Sequence, residues 1–227
     1  MKSVAIVAAA GIGKRFGQDK TFFPFRGKPV LLWTLEALEG VDGIEEIIPA
    51  LREEDIGQAR ELASRAGLRK VKRFARGGLE RQDSVYNALG LVPPETDIVL
   101  VHDGARPFAD AAFIKGLIAG LDDVFFDGVV PGLMPKDTIK QVNASGFISS
   151  TPERKGLVAV QTPQVFRYDA LMKAYGAAMR AGFYSTDDSA LVESAGGKIK
   201  VVPGDAKNIK ITAPEDIIYA EGLFKRP

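Results

Sequence analysis

Apolar runs of strand length alternate along this chain with stretches whose apolar residues recur at helical spacing. Ser3–Ala9 reads as a strand buried on both faces. Lys28–Leu38 predicts a helix with Pro29 near its first turn. Ile44–Ala50 predicts a strand, Glu53–Ala66 a helix, Lys70–Phe74 a strand and Asp83–Leu91 a helix. Asp97–His102 is a clean strand ending at Asp103, and Ala109–Leu121 is helical. This β-α-β-α order predicts an α/β fold, a Rossmann-like and mostly parallel sheet with helices on both faces.

The rhythm changes between Gly128 and Gln161, where Gly, Pro, Thr, Lys and Ser accumulate. Val129–Val130 still reads as core strand. Thr138–Val142 and Phe147–Thr151 flank the turn-forming Asn143-Ala144-Ser145-Gly146, which predicts a β-hairpin. It has few apolar residues of its own to cover, so it is expected to project as an arm and to need a partner surface. Helices follow at Tyr168–Ala181 and Asp187–Ala195, then a strand at Lys198–Val202 and a helix at Pro214–Phe224. The expected organisation is one domain over residues 1–227, with the arm inserted at about 133–155.

Composition narrows the chemistry. The chain has 227 residues and no cysteine, which excludes disulfides, thiolate metal sites and a cysteine nucleophile. Thirty basic and 29 acidic residues leave a net charge of +1, so no nucleic-acid or membrane partner is expected. The basic run through Arg65, Arg69, Lys70, Lys72, Arg73 and Arg76 has Phe74 as its only interleaved aromatic and reads as a solvated edge. No run of 18 apolar residues suggests a membrane span, and the apolar start is broken by Gly11, Lys14 and Arg15. A cytoplasmic protein is expected.

The candidate chemistry begins where the first strand ends. Ala9-Ala10-Gly11-Ile12-Gly13-Lys14-Arg15 is a small glycine-bearing loop, and parallel sheets bind ligands outside the carboxyl ends of their strands. Glycines let backbone amides approach an oxyanion, and Lys14, Arg15 and Lys20 add positive charge for a polyphosphate. The dinucleotide fingerprint fails, because Phe16 stands where its third glycine would be, and the P-loop pattern is absent. A tight turn with solvated basic residues explains the loop equally well when it is taken alone.

Further blocks resolve this. Gly77-Gly78-Leu79-Glu80-Arg81-Gln82-Asp83-Ser84-Val85, Val101-His102-Asp103-Gly104-Ala105-Arg106-Pro107, Lys136-Asp137-Thr138, Gln161-Thr162-Pro163-Gln164, Thr186-Asp187-Asp188 and Asn208-Ile209-Lys210-Ile211-Thr212 follow in order. Together with the loop they resemble the 2-C-methyl-D-erythritol 4-phosphate cytidylyltransferase family over nearly the whole chain. The resemblance implies transfer of CMP from CTP to a polyol phosphate, with pyrophosphate released, Mg²⁺ or another divalent cation required and no covalent enzyme intermediate. Such chemistry asks for positioning and charge neutralisation rather than a nucleophile.

Site roles carry over residue by residue. The resemblance makes Arg15, Lys20 and Lys210 the catalytic cations. It assigns CTP to Ala9, Ala10, Gly11, Gly13, Gly78 and Ser84. Asp103, Arg106, Thr138, Arg154, Thr162, Thr186, Lys210 and Thr212 match the substrate grip, with Asp103 the metal candidate, directly or through water. It also implies a homodimer in which the arm, bearing Thr138 and Arg154, serves the neighbouring subunit's site. Two places depart from the family pattern. Asp19 and Thr21 flank Lys20 where proline and glutamine are usual, and Leu79 stands where aspartate is frequent.

Plain structural roles stand beside these. Asp103 suits a turn cap, and Arg106 suits either a pair with Asp103 or a loop brace. Asp83 or Ser84 suits a helix cap, as do Thr186 ahead of Asp187-Asp188 and Thr212 ahead of Pro214-Glu215. Arg154 suits a surface ion pair, and His102, the single histidine, is given no chemical role. Two alternative functions remain: a cytidylyltransferase for another polyol phosphate such as ribitol 5-phosphate, and a nucleotide-binding module without transferase activity.

Overall fold

The computed structural model describes residues 1–11, 13, 16, 21–121 and 125–224. Strand β1 (Ser3–Ala8) lies at the centre of the main sheet, with its side chains alternating between two cores. Val4 and Ile6 enter one core, and Ala5 and Val7 the other. The chain then forms a small hairpin of β2 (Pro24–Phe25) and β3 (Lys28–Pro29), leading into α1 (Val30–Glu39). Pro29, expected inside the helix, stands just before it, where its fixed φ and missing N–H cost nothing.

Next come β4 (Ile44–Leu51), α2 (Glu53–Arg65), β5 (Ala75–Arg76), α3 (Arg81–Leu89), β6 (Ile98–Asp103) and α4 (Ala111–Ala119). The strand expected at Lys70–Phe74 reduces to a single bridge between Val71 and Ile47. Its charged residues find local partners instead: Lys70 Nζ donates to the Val41 carbonyl and Arg73 pairs with Glu46.

The second half contains β7 (Gly128–Leu133), β8 (Gln141–Val142), β9 (Ile148–Ser150), β10 (Ala159–Val160) and β11 (Gln164–Arg167). It ends with α5 (Tyr168–Ala181), α6 (Asp188–Ser194), β12 (Ile199–Pro203) and α7 (Glu215–Phe224). The described main sheet has eight strands, in the order β10-β7-β11-β6-β1-β4-β5, with β12 also on β7. Parallel pairing joins β1 to β4 and β6, β4 to β5, and β12 to β7, whereas β10 and β11 run antiparallel. β10 closes the Gly- and Pro-rich stretch and β11 follows just beyond it, and both are too short to show strand periodicity.

Helices α3, α5 and α6 cover one face through Val85, Leu89, Tyr175 and Leu191. Helices α1, α2 and α4 cover the other through Leu31, Leu35, Ala59 and Ile114. A third cluster joins α7 to α1 and the β2–β3 hairpin through Phe25, Val30, Ile211 and Ala220, with Trp33 and Phe108 at its edge. The β8–β9 hairpin pairs Gln141 with Ser150 and Val142 with Ile148, and its residues are exposed. No described helix is long and apolar enough to cross a membrane.

Candidate active site

Connections leave β1 toward β4 on one side, and β6 lies on its other side, so strand order reverses at the β1–β6 boundary. Open α/β sheets place ligand crevices at such a point, outside the strand carboxyl ends. Here Ala8 and Asp103, the last residues of β1 and β6, are register partners. A cleft opens above them, walled by Ala8–Gly11, by Gly78–Arg81 with Ser84, by Asp103–Ala105 and by Lys210.

The walls are backbone-rich because small residues meet there. A Cβ on Gly77 would lie 2.3 Å from the Ala10 Cβ, and one on Gly78 would lie 2.1 Å from the Asp83 Cβ. Only glycine lets this turn pass between β5 and α3 so tightly. The Gly78 N–H donates to Ser84 Oγ at 3.0 Å, and the Ser84 hydroxyl donates to the Glu80 carbonyl at 3.1 Å. Asp83, not Ser84, takes the helix-start role by accepting from the Glu80 N–H at 2.9 Å. Leu79 projects at the mouth with 98% of its surface exposed. Gly13 has φ +59° and its carbonyl accepts from the Phe16 N–H at 2.7 Å, but it is not among the residues lining the cleft.

Asp103 forms the floor. One carboxylate oxygen accepts from Arg81 Nε at 3.0 Å, and the other lies 2.7 Å from Lys210 Nζ. Arg106 Nε approaches to 3.8 Å without a hydrogen bond, while its Nη1 donates to the Asn208 carbonyl at 2.7 Å. Arg106 therefore acts first as a loop brace. Burial alone would raise the Asp103 pKa; Arg81, then Lys210 and Arg106, outweigh it and hold the carboxyl well below the usual range.

Lys210 reaches this floor because its neighbours are anchored. Ile211 is buried in the third cluster with Ile209 packed against it, and the Ile211 N–H donates to the Ala105 carbonyl at 2.8 Å. Just beyond, the Thr212 hydroxyl and N–H both donate to Asp216 Oδ2, at 2.8 and 2.7 Å. That gives Thr212 the helix-start role.

Beneath Asp103 lies a neutral relay. His102 Nε2 faces the Arg106 carbonyl at 3.1 Å, so this nitrogen carries the proton and donates it. Nδ1 then accepts from the Thr162 hydroxyl at 2.9 Å, and that hydroxyl accepts the Asp103 N–H at 3.0 Å. Burial lowers the His102 pKa to about 4, with Asp103 only partly opposing it. Thr162 is thus engaged with the protein in both its donor and acceptor roles, and its carbonyl accepts from Asn208 Nδ2 at 2.8 Å.

The other sequence candidates lie apart from the cleft lining. Thr186 is exposed, and Asp187 caps α6 by accepting from the Ala190 N–H. Thr138 is exposed on the arm, and Arg154, also exposed, donates to the Lys136 carbonyl at 2.9 Å. Arg15 and Lys20 lie outside the described residues. Two residues that the sequence left without a role stand at the centre instead. Arg81 forks onto both oxygens of buried Asp188, at 3.0 and 2.8 Å, while also holding Asp103. A cation in the first turn of a helix opposes the helix dipole, and that oddity is the sequence signal for a carboxylate partner.

Among the described residues, no three His, Cys, Asp or Glu side chains group to hold a metal ion. Asp103 is a hard oxygen donor whose two oxygens already meet cations. This donor set fits an ion that arrives on substrate phosphates, for which one protein carboxylate, direct or through water, is a common complement.

The description 2-C-methyl-D-erythritol 4-phosphate cytidylyltransferase belongs to the family profile that matches residues 3–226. A relative so named from Clostridium perfringens is 44% identical, covering 99% of each chain. Among solved structures, a 4-diphosphocytidyl-2C-methyl-D-erythritol synthase from Anaerococcus prevotii superposes with a TM-score of 0.86 at 32% identity, covering 99% of each chain. The 2-C-methyl-D-erythritol 4-phosphate cytidylyltransferase of Thermus thermophilus gives 0.82 at 30% identity, covering 100% of each. With its profile match, its relatives and its fold in agreement along the full length, this chain belongs to the 2-C-methyl-D-erythritol 4-phosphate cytidylyltransferase family.

Proposed function

We propose that this protein transfers CMP from CTP to 2-C-methyl-D-erythritol 4-phosphate in isoprenoid biosynthesis. An oxygen of the substrate phosphate bonds to the α-phosphorus, the bond from that phosphorus to the β-phosphate bridge breaks, and pyrophosphate leaves. The observation that carries this reading is the Lys210 ammonium, 2.7 Å from Asp103 at the strand-end cleft of a chain belonging to this family.

The protein's part is electrostatic placement. Backbone of Ala9–Gly11, with Gly13 beyond it, takes the triphosphate, and Gly78 and Ser84 take the base and ribose. Arg15 and Lys20 balance charge at the α-phosphate as it is attacked, and Lys210 holds the substrate phosphate that attacks it. Asp103 orients Lys210, receives a substrate hydroxyl and supplies the carboxylate for Mg²⁺, which when bound neutralises phosphate charge. Arg106 acts mainly by holding the Asn208–Lys210 segment against the floor. Thr162 supports Asp103 from below, and Thr212, bound to Asp216, fixes the chain just beyond Lys210.

Thr138 and Arg154 are read as gripping the substrate phosphate of a neighbouring subunit in a homodimer. Exposure of the apolar arm residues Val142, Phe147 and Ile148 supports this. A cytoplasmic setting accords with a chain that has no cysteine.

Pyrophosphate release tests the reading: purified protein with CTP, Mg²⁺ and methylerythritol phosphate should turn over. Faster turnover of ribitol 5-phosphate would reassign the acceptor. CTP binding without turnover of either acceptor would make the protein a binding module.

A further inference from the structure

Arg81 opens α3, lines the cleft and is also tied into the interior. Its two terminal nitrogens are spent on Asp188, whose side chain has 0% of its surface exposed, and its Nε is spent on Asp103. The Tyr175 hydroxyl donates to the same Asp188 carboxylate from α5. A planar guanidinium engaged along three directions cannot turn without breaking a charged hydrogen bond. Asp188 balances its charge, so Asp103 keeps charge to offer elsewhere. One Asp103 oxygen is fixed by Arg81, which leaves the other to meet Lys210 at 2.7 Å.

We propose that Arg81, clamped by Asp188 and Tyr175, is a positioning residue that orients the Asp103 carboxylate and through it sets the Lys210 ammonium for the attacking substrate phosphate. This rests on the reading of Lys210 as a cation of the transfer step. Arg81 itself touches no reacting atom. The alternative is a purely structural tie joining α3, α5 and α6.

Arg81→Lys separates the two, because it keeps the charge and removes the fork. In single-turnover assays at saturating substrates, the CMP-transfer rate should fall about 10- to 100-fold, as expected for a misaligned reacting group. The KM for CTP should stay within about threefold, because ground-state binding is untouched. In an Asp103→Asn background the same change should cost less than about twofold, since the path it acts through is already cut. Equal losses in both backgrounds, or a rate unchanged by Arg81→Lys, overturn the proposal.

If Arg81→Lys does not fold, as judged by thermal melting, Tyr175→Phe decides. It keeps the ring in the core and removes only the hydroxyl donated to Asp188. The rate should drop about two- to threefold with Asp103 present and not with Asn there. The same drop in both backgrounds, or no drop in either, overturns the proposal. A wild-type protein that releases no pyrophosphate would defeat the functional reading; wild-type turnover with an additive Arg81 effect defeats only the positioning role.

Discussion

Asp103 and Arg154 are both charged residues to which the family resemblance gives substrate contacts, yet the fold holds them in opposite ways. Asp103 sits at a strand end with Arg81 and Lys210 on its two oxygens and Thr162 on its N–H. Arg154 is exposed on the far side of the β8–β9 hairpin and donates to one backbone carbonyl. The first arrangement is organised before any ligand arrives, which is where electrostatic catalysis gains most. The second retains rotamer freedom that a ligand or partner surface must remove. The difference is one of preorganisation: the Asp103 floor is set by contacts within the chain, while Arg154 has still to be fixed by what it meets.

The sharpest way to break this comparison is Lys210→Ala. If the floor of the cleft is the preorganised part, removing its outer cation should lower kcat about 10²- to 10³-fold, the usual cost of deleting one preorganised electrostatic group. KM for CTP should move far less. Steady-state pyrophosphate release reads both. A loss no larger than that from Arg154→Ala would erase the distinction between the two regions.

The floor should also show itself in stability against pH. His102 is the only histidine in the sequence, and burial lowers its folded pKa to about 4 from 6.5. The folded imidazole therefore stays neutral while the unfolded one takes a proton as pH falls below 6.5, so stability is lost between about 6.5 and 4. Between pH 7 and pH 5 this amounts to about 2 kcal/mol, measurable by urea denaturation. The single imidazole NMR signal should remain in its neutral position at pH 5. Titration near 6.5 would show that the His102–Thr162 relay is open to water. The arm carries no histidine and adds nothing in this window.

What the sequence reveals follows the same divide. Strands β1, β4 and β6 were readable because burial on both faces leaves apolar runs such as Val4–Ala8, Ile47–Leu51 and Ile98–Val101, and α5 because its apolar stripe is bounded by Arg167 and Gly182. β10 and β11 were not, because two- and four-residue strands around Gln161-Thr162-Pro163 carry too little periodicity. Within the floor, Asp103 and Lys210 were legible through their motifs. Arg81 carries one signal, its charge in the first turn of a helix, but its partners lie 22 and 107 residues away and no local pattern names them. The resemblance gives Thr212 to the substrate as well as to a helix start, and only the position of Asp216 shows that its hydroxyl serves the latter.

The smallest expected effect is the most telling for the arm. Arg154→Ala removes an exposed side chain that donates to the Lys136 carbonyl, so thermal stability should change by no more than about 0.5 kcal/mol. If Arg154 grips the acceptor phosphate, the KM for methylerythritol phosphate should rise about tenfold, the equivalent of about 1.4 kcal/mol for an exposed charge-assisted contact. The KM for CTP should not follow, because the cleft walls at Ala9–Gly11 and Gly78–Ser84 include no residue of the arm. A mixing experiment then assigns the subunit that supplies the arginine. Inactive Lys210→Ala chains and acceptor-weak Arg154→Ala chains, combined and allowed to exchange, should regain a site with both cations intact if the arm serves its neighbour. No gain on mixing, with exchange verified by mass spectrometry of the dimer, would place Arg154 in its own chain's site and make the cleft and arm parts of one subunit's machinery.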